Sequence, residues 1–327
     1  MENTITWISS MNTIGLRVSR PFLTVCVSLG LLLCFGLFNP VILSLGNVEN
    51  ILVQASYLAI FASAQAIVIL VRGLDLSLGT TVSLVSVATA MLMTVAGMPL
   101  AAAVPVGLLL GLALGALVGM VNGLGVAVGK INPFIMTLGM LYILMSIATT
   151  ISGGFPVQNL PEDFLRLAQI DLFSVPLQIL LVIGVLGLLQ WVLLRTFFGR
   201  SLYLVGSNPS AARVAGISVR RVQCFAFMIC SVLAALGALL LTARTGSGEP
   251  NLGGDITLGA IAAAVLGGAR LKGGEGTMAA PIAGAILVTV LTNGLNLLSI
   301  NGFIQQIIIG AAILIAMGLD RPDLTQR

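Results

Sequence analysis

The residues with chemistry to offer are few, and two of them recur in one setting. Gly73-Leu74-Asp75-Leu76-Ser77-Leu78-Gly79 and Gly253-Gly254-Asp255-Ile256-Thr257-Leu258-Gly259 both read Gly-x-Asp-apolar-hydroxyl-Leu-Gly, and each opens a long apolar run. An aspartate at such a place has two uses. Its carboxylate can accept backbone N–H groups at a helix start, where the first donors lack partners and negative charge suits the helix dipole. Alternatively, its charge contacts a solute or gates a path. Ser77 and Thr257 stand where a hydroxyl can satisfy a further backbone group. Asn122, Asn293 and Asn296 are the other candidates for a polar path, and their competing use is interhelical hydrogen bonding.

Other chemistries drop out. The chain has no histidine, which removes Ser-His, Cys-His and His-metal sites together. The nearest approach to a phosphate loop, Gly129-Lys130-Ile131, has Leu124 where a glycine is required and Ile131 where Ser or Thr is required. No catalytic residue, metal site or ATPase is therefore expected, nor any cofactor held by this chain. Cys26, Cys34, Cys224 and Cys230 sit in apolar runs and read as buried, inert thiols. No spaced basic–aromatic cluster points to nucleic acid.

The elements that position these residues follow from composition. Hydrophobic residues make up 58% of the 327 and charged residues 8%, against roughly 25% charged in soluble domains. With a mean hydropathy of +1.11, the chain reads as an all-α integral membrane protein in contact with lipid. Apolar runs near the length of a span fall at 21–38, 51–71, 76–97, 101–128, 134–152, 176–194, 222–242, 257–269, 277–298 and 303–319, the eighth being short and Gly-rich. The first run follows Arg17 and Arg20 as a signal peptide would, but no small-residue cleavage site follows, so it counts as a span.

Ten spans put both termini on one side. If that side is the cytoplasm, every Lys and Arg except Arg166 and Arg244 lies on an inner segment, as the positive-inside rule demands. The whole of 1–327 reads as one transmembrane domain. Its longest outer loop, about 153–175, carries Pro161, Glu162 and Asp163 in the order of a helix start: a short interfacial helix or a solvated loop. The inner loop 195–221 holds Asn208 as an N-cap, Pro209 at the first helical position and Gly216 as a stop. The short helix so defined cannot span. It has the shape to enter a partner's groove, with a plain connector as the alternative.

The septets belong to a longer echo. Val121-Asn122-Gly123-Leu124 is answered by Thr292-Asn293-Gly294-Leu295, and Ile131-Asn132-Pro133-Phe134-Ile135 by Ile300-Asn301-Gly302-Phe303-Ile304. Spans 2–5 thus recur as spans 7–10. An offset of five spans inverts the second copy, and inverted repeats are a transporter architecture with the path at their interface. Asp75 is then expected near the inner face and Asp255 near the outer. In the fourth span Gly107, Gly111, Gly115, Gly119 and Gly123 form a slowly winding bare stripe, suited to close helix crossings.

These motifs, over nearly the whole chain, resemble the permeases of bacterial ATP-binding-cassette (ABC) importers of the ribose/arabinose/xylose type. The first septet is similar to the family's Gly-Ile-Asp-Leu-Ser-Val-Gly signature. Gly199 to Ile217 resembles its cytoplasmic coupling segment, Ala260 to Thr277 its second-half signature, and Asn293 to Leu314 its last two spans. The resemblance implies a ten-helix fold like that of the cobalamin importer's permease. It also implies a second permease chain (the same or a sister), a cytoplasmic ABC ATPase that binds ATP and Mg, and a secreted sugar-binding protein. Gly199, Arg200, Asn208, Pro209, Ala211, Ala212, Arg213, Gly216 and Ile217 would couple to the ATPase. The chain departs from the family at Arg72, often glycine there, at Ser210, where an acid is common, and near Gly259, where another often stands. The competing function is an ion-coupled secondary transporter of small polar solutes. It calls for acids in mid-span, and the central parts of these spans carry none.

Overall fold

The computed structural model describes residues 19–95, 99–173 and 175–319. Arg17, Arg321, Arg327 and both termini, on which part of the charge argument rests, lie outside the described residues. The order is α1 (Arg20–Phe38), a 3-10 turn (Pro40–Leu43), α2 (Leu45–Leu70), α3 (Leu78–Met93), α4 (Leu100–Ala127), α5 (Pro133–Ser152), α6 (Glu162–Arg166), then a two-stranded hairpin, β1 (Asp171–Leu172) with β2 (Val175–Pro176). It continues with α7 (Leu177–Arg195), α8 (Phe197–Ser207), α9 (Pro209–Val214), α10 (Val219–Thr245), α11 (Ile256–Leu266), α12 (Ala279–Leu297) and α13 (Gly302–Leu319).

Seven of these helices, α1, α2, α4, α5, α7, α10 and α12, are long and apolar enough to cross a membrane; α3, α11 and α13 are shorter apolar helices. The protein is a multi-pass membrane protein. The eighth run is short, as its length and glycines suggested, and the third is trimmed from 76–97 to Leu78–Met93. α11 has 11 residues, about 16 Å at the usual rise, because the chain turns at Gly267–Gly268 and then takes left-handed positions at Gly273, Gly274 and Gly276.

α2 is buried along nearly all of its length, whereas α1, α5 and α7 turn Leu37, Ile135 and Leu188 outward. Apolar side chains on the perimeter suit a lipid solvent. Cys26 and Cys34 lie on that outward face, so the expectation of buried thiols holds for Cys230 and fails for these two, because α1 is peripheral.

The glycine stripe does what its spacing promised. A Cβ added at Gly111, Gly115, Gly119 or Gly123 would lie 2.5–2.9 Å from atoms of Leu239, Ala235 and Ser231, Met228 and Cys224 in turn. α4 and α10 therefore cross at near-backbone distance. Packing elsewhere has a pattern of its own: α10 lies on α4 and α3, α2 lies on α12 and α11, and α10 and α2 pack on each other.

The segment expected as an outer loop holds a docked helix rather than a solvated loop. Pro161 takes the N-cap position of α6, and Phe164 is fully buried. An isolated bridge between Val157 and Gly248 ties the loop to the segment after α10. The inner loop also holds more structure than expected. α8 precedes α9, so Gly199 and Arg200 lie on a separate helix from the capped one.

Candidate translocation and coupling sites

The two septets meet. Gly79 and Gly253 approach so closely that a Cβ on either would lie within 2.2 Å of the other's carbonyl oxygen. The Gly79 N–H donates to Thr257 Oγ1 at 2.8 Å, and Thr257 Oγ1 donates to the Leu76 carbonyl at 3.4 Å. In return the Gly253 N–H donates to Ser83 Oγ at 3.0 Å. Two turns whose backbone donors would otherwise be orphaned thus satisfy each other through hydroxyls, which matters where no water replaces a lost bond.

Asp75 is fully buried beside this junction. Its Oδ1 accepts from the Ser77 N–H at 2.9 Å and from Ser77 Oγ at 2.6 Å, and Asn122 Nδ2 donates to the same Oγ at 2.9 Å. Three predicted site residues, Asp75, Ser77 and Asn122, are therefore one cluster, with Thr257 bonded to its backbone. The carboxylate closes an Asx turn onto Ser77, two residues on; Ser77, not Asp75, occupies the N-cap position of α3 and makes no side-chain cap bond. Cys230 Sγ lies 3.9 Å from Oδ2, and no Lys or Arg pairs with Asp75 among the described residues.

The second septet behaves differently. Asp255 is at the N-cap of α11 but is exposed and makes no side-chain cap bond, so the expected cap is absent there. Asn293 and Asn296 also lie apart from the cluster. Asn293 exchanges bonds of 2.9 and 3.0 Å with Asn47, and Asn296 accepts from Gln305 at 2.7 Å. Both tie helices together, the interhelical use.

Sequence reasoning missed Gln65, Ser83, Ser86 and Thr242. In the orientation its neighbours dictate, the Gln65 carboxamide clasps the Asp75 backbone, donating to O at 3.2 Å and accepting from N at 3.1 Å. Thr242 donates to Ser86 Oγ at 2.7 Å, and the Glu249 N–H donates to the same oxygen at 3.1 Å. A carboxamide deep in the apolar second half of α2, and hydroxyls on α3 spaced at 83 and 86, were the available signals.

At one end of the bundle the capped helix is built as its residues dictate. Asn208 Oδ1 accepts from the Ser210 and Ala211 N–H groups, each at 3.0 Å. Gly216, at φ 78°, closes the far end: its N–H bonds to Arg213 O, and that of Ile217 to Ala212 O. This is a Schellman-type stop that glycine permits. Ala212 is fully buried and seats α9 on the bundle, while Val214 is 91% exposed. Gly199, by contrast, packs into the corner where α7 turns into α8, and Arg200 is exposed on α8.

The same end is locked to α2. Arg72 donates from Nε and Nη2 to the carbonyls of Gly206 and Ser207, the C-terminus of α8, where a cation suits the helix dipole. The Gly274 N–H donates to Leu70 O at 2.9 Å, and Tyr203 Oη to Gly276 O at 2.7 Å. Burial raises the Tyr203 pKa further above its ordinary value. Arg72 itself holds φ 63°, a left-handed position favouring glycine. An open cavity of about 800 Å³ adjoins α9, and Arg72, Lys130, Arg213 and Arg220 line it with no carboxylate among its lining residues.

A multi-pass helical membrane protein, with a buried polar junction between two helix starts and a capped helix at one end, has the build of a transport subunit. Residues 47–317 match the model of the branched-chain amino acid transport system / permease component family. The chain is 37% identical to a probable ABC transporter permease protein of Sinorhizobium fredii, over 91% of this chain and 88% of that one. It is 35% identical to the ribose import permease protein of Escherichia coli (86% of this chain, 88% of that one). It is 34% identical to the galactose/methyl galactoside import permease protein of Haemophilus influenzae (86% and 88%). No solved structure matches the chain. The chain belongs to this family of ABC transport permease components. It is a non-catalytic transport subunit and carries no cofactor of its own.

Proposed function

We propose that this protein is the membrane-spanning subunit of an ATP-driven importer for a monosaccharide, working with a cytoplasmic ABC ATPase, a secreted sugar-binding protein and a second permease chain. The observation that carries the sugar assignment is the even similarity, about a third of positions over more than four-fifths of the chain, to permeases named for ribose and for galactose. The family description names branched-chain amino acids, so L-leucine is the substrate to test against. α9 enters a groove of the ATPase, with Val214 its unpartnered apolar contact and the cation-lined cavity beside it suited to an acidic surface.

On this reading the chain crosses the bacterial inner membrane ten times with both termini in the cytoplasm, and its halves are inverted copies, as in the cobalamin importer's permease. Two things support the repeat: the duplicated motifs, and a packing pattern that maps onto itself when α2–α5 are exchanged for α10–α13. α10 on α4 and α3 answers α2 on α12 and α11. ATP hydrolysis on the partner moves α9, and the septet junction relays that motion between the halves. Asp75, Ser77, Asn122 and Thr257 shape the junction; Asp255 faces the path. In cells expressing this chain with those partners, labelled D-ribose, D-galactose or D-allose should accumulate and L-leucine should not. Accumulation of L-leucine alone would reverse the substrate assignment.

A further inference from the structure

At the end of the bundle opposite α9, the N-terminal part of α2, the segment from α6 to α7 and the last turn of α10 enclose an open cavity of about 440 Å³. Its polar walls are Glu49, Asn50, Gln169, Asp171, Gln178 and Arg244. That volume lies in the range of small-molecule sites, about 300–1,000 Å³. Glu49 and Asp171 form no ion pair among the described residues, and Arg244 forms none with either; its guanidinium lies 5.3 Å over the Tyr57 ring and 3.4 Å from Asn50 Oδ1. Gln178 is the telling residue. It is 5% exposed, lines the cavity, and its Oε1 has no hydrogen-bond partner.

We infer that this cavity is an outer subsite for a neutral polyhydroxy ligand, a free monosaccharide in transit. The inference rests on the importer reading for its substrate class but on this geometry for its residues. A buried carboxamide oxygen without a partner calls for a donor, and a hydroxyl, which donates and accepts, answers either end of that carboxamide. Two carboxylates disfavour an anion, and a guanidinium disfavours a cation. Carboxylates that accept, with Arg244 and the carboxamides that donate, can bind several hydroxyls of one sugar at once. The arrangement holds sugar at the mouth without the apolar enclosure that would retain it.

The test uses the full chain in membranes, with Cys26, Cys34, Cys224 and Cys230 changed to alanine and Asn50→Cys as reporter. Gln169→Cys is a second reporter should Asn50→Cys fail to insert, and Phe155→Cys is a control away from the cavity. D-ribose, D-galactose or D-allose at high concentration should slow alkylation by an impermeant maleimide several-fold at the reporters and leave the control unchanged. Adding Gln178→Leu should abolish that protection while keeping the sugar-free rate. No protection by any of the three sugars, or protection by phosphate or choline instead, overturns the subsite. Sugar uptake by the wild-type importer is measured separately: uptake without protection sinks the subsite and spares the importer reading, while protection without uptake does the reverse.

Discussion

The backbone N–H of Gly79 and the hydroxyl of Thr257 are hydrogen-bonded at 2.8 Å across 178 positions of sequence. The bond joins the start of α3 to the start of α11, and with its counterpart from Gly253 to Ser83 at 3.0 Å it makes the two halves one unit.

Thr257→Val keeps the shape and orphans the Gly79 donor. A buried unsatisfied group costs about 1–3 kcal/mol, so the variant should lose heat tolerance in detergent, measured as the midpoint of aggregation, while Thr257→Ser stays near wild type. Gly79→Ala should be worse than either, since its Cβ would sit 2.2 Å from Gly253 O.

Asp75 acts as a backbone-organising group in this account. Asparagine closes the same turn, so Asp75→Asn should keep normal folded amounts and most transport. Asp75→Ala should lower the folded amount, losing about 1 kcal/mol or more. An Asp75→Asn protein that inserts normally yet transports nothing would show that the charge itself is needed.

Much of this was legible in sequence where a local rule sufficed. Asn208, Pro209 and Gly216 delimit α9 because capping is a contact between near neighbours. The Gly111 to Gly123 stripe announced a close crossing, though not that α10 fills it. The clasp of Gln65 on Asp75, the Asn47–Asn293 pair and the Thr257–Gly79 bond were hidden, since each joins residues set together only by packing. Asp255 shows the limit of a motif: the septet repeats, yet only Asp75 is buried among donors, and the second copy leaves its aspartate exposed. α8 went unseen because its 11 residues are too few to span, so the stretch reads as part of the loop 195–221.

Coupling through α9 predicts that Val214→Glu, at a 91% exposed position, inserts normally but weakens ATPase association and uncouples hydrolysis from uptake. Gly216→Val should do the same by straining the left-handed stop, by about 1 kcal/mol or more. Arg72→Met should loosen the seat of α8 by about 1 kcal/mol and reduce uptake more than insertion. Full transport by all three variants would reduce the segment to a connector.

The inverted arrangement predicts opposite accessibility for the septets. In a background lacking the native cysteines, Leu74→Cys should label from the cytoplasmic side and Gly254→Cys from the outer side. Labelling of both from one side would contradict the inversion.

The most direct measurement of the central claim is sugar uptake into proteoliposomes containing this chain with its ATPase and binding protein. Accumulation of a labelled monosaccharide that requires all components and internal or external ATP on the ATPase face, and is indifferent to collapse of proton and Na⁺ gradients, is the predicted result. Gradient-driven accumulation by this chain alone, without ATP, would contradict it.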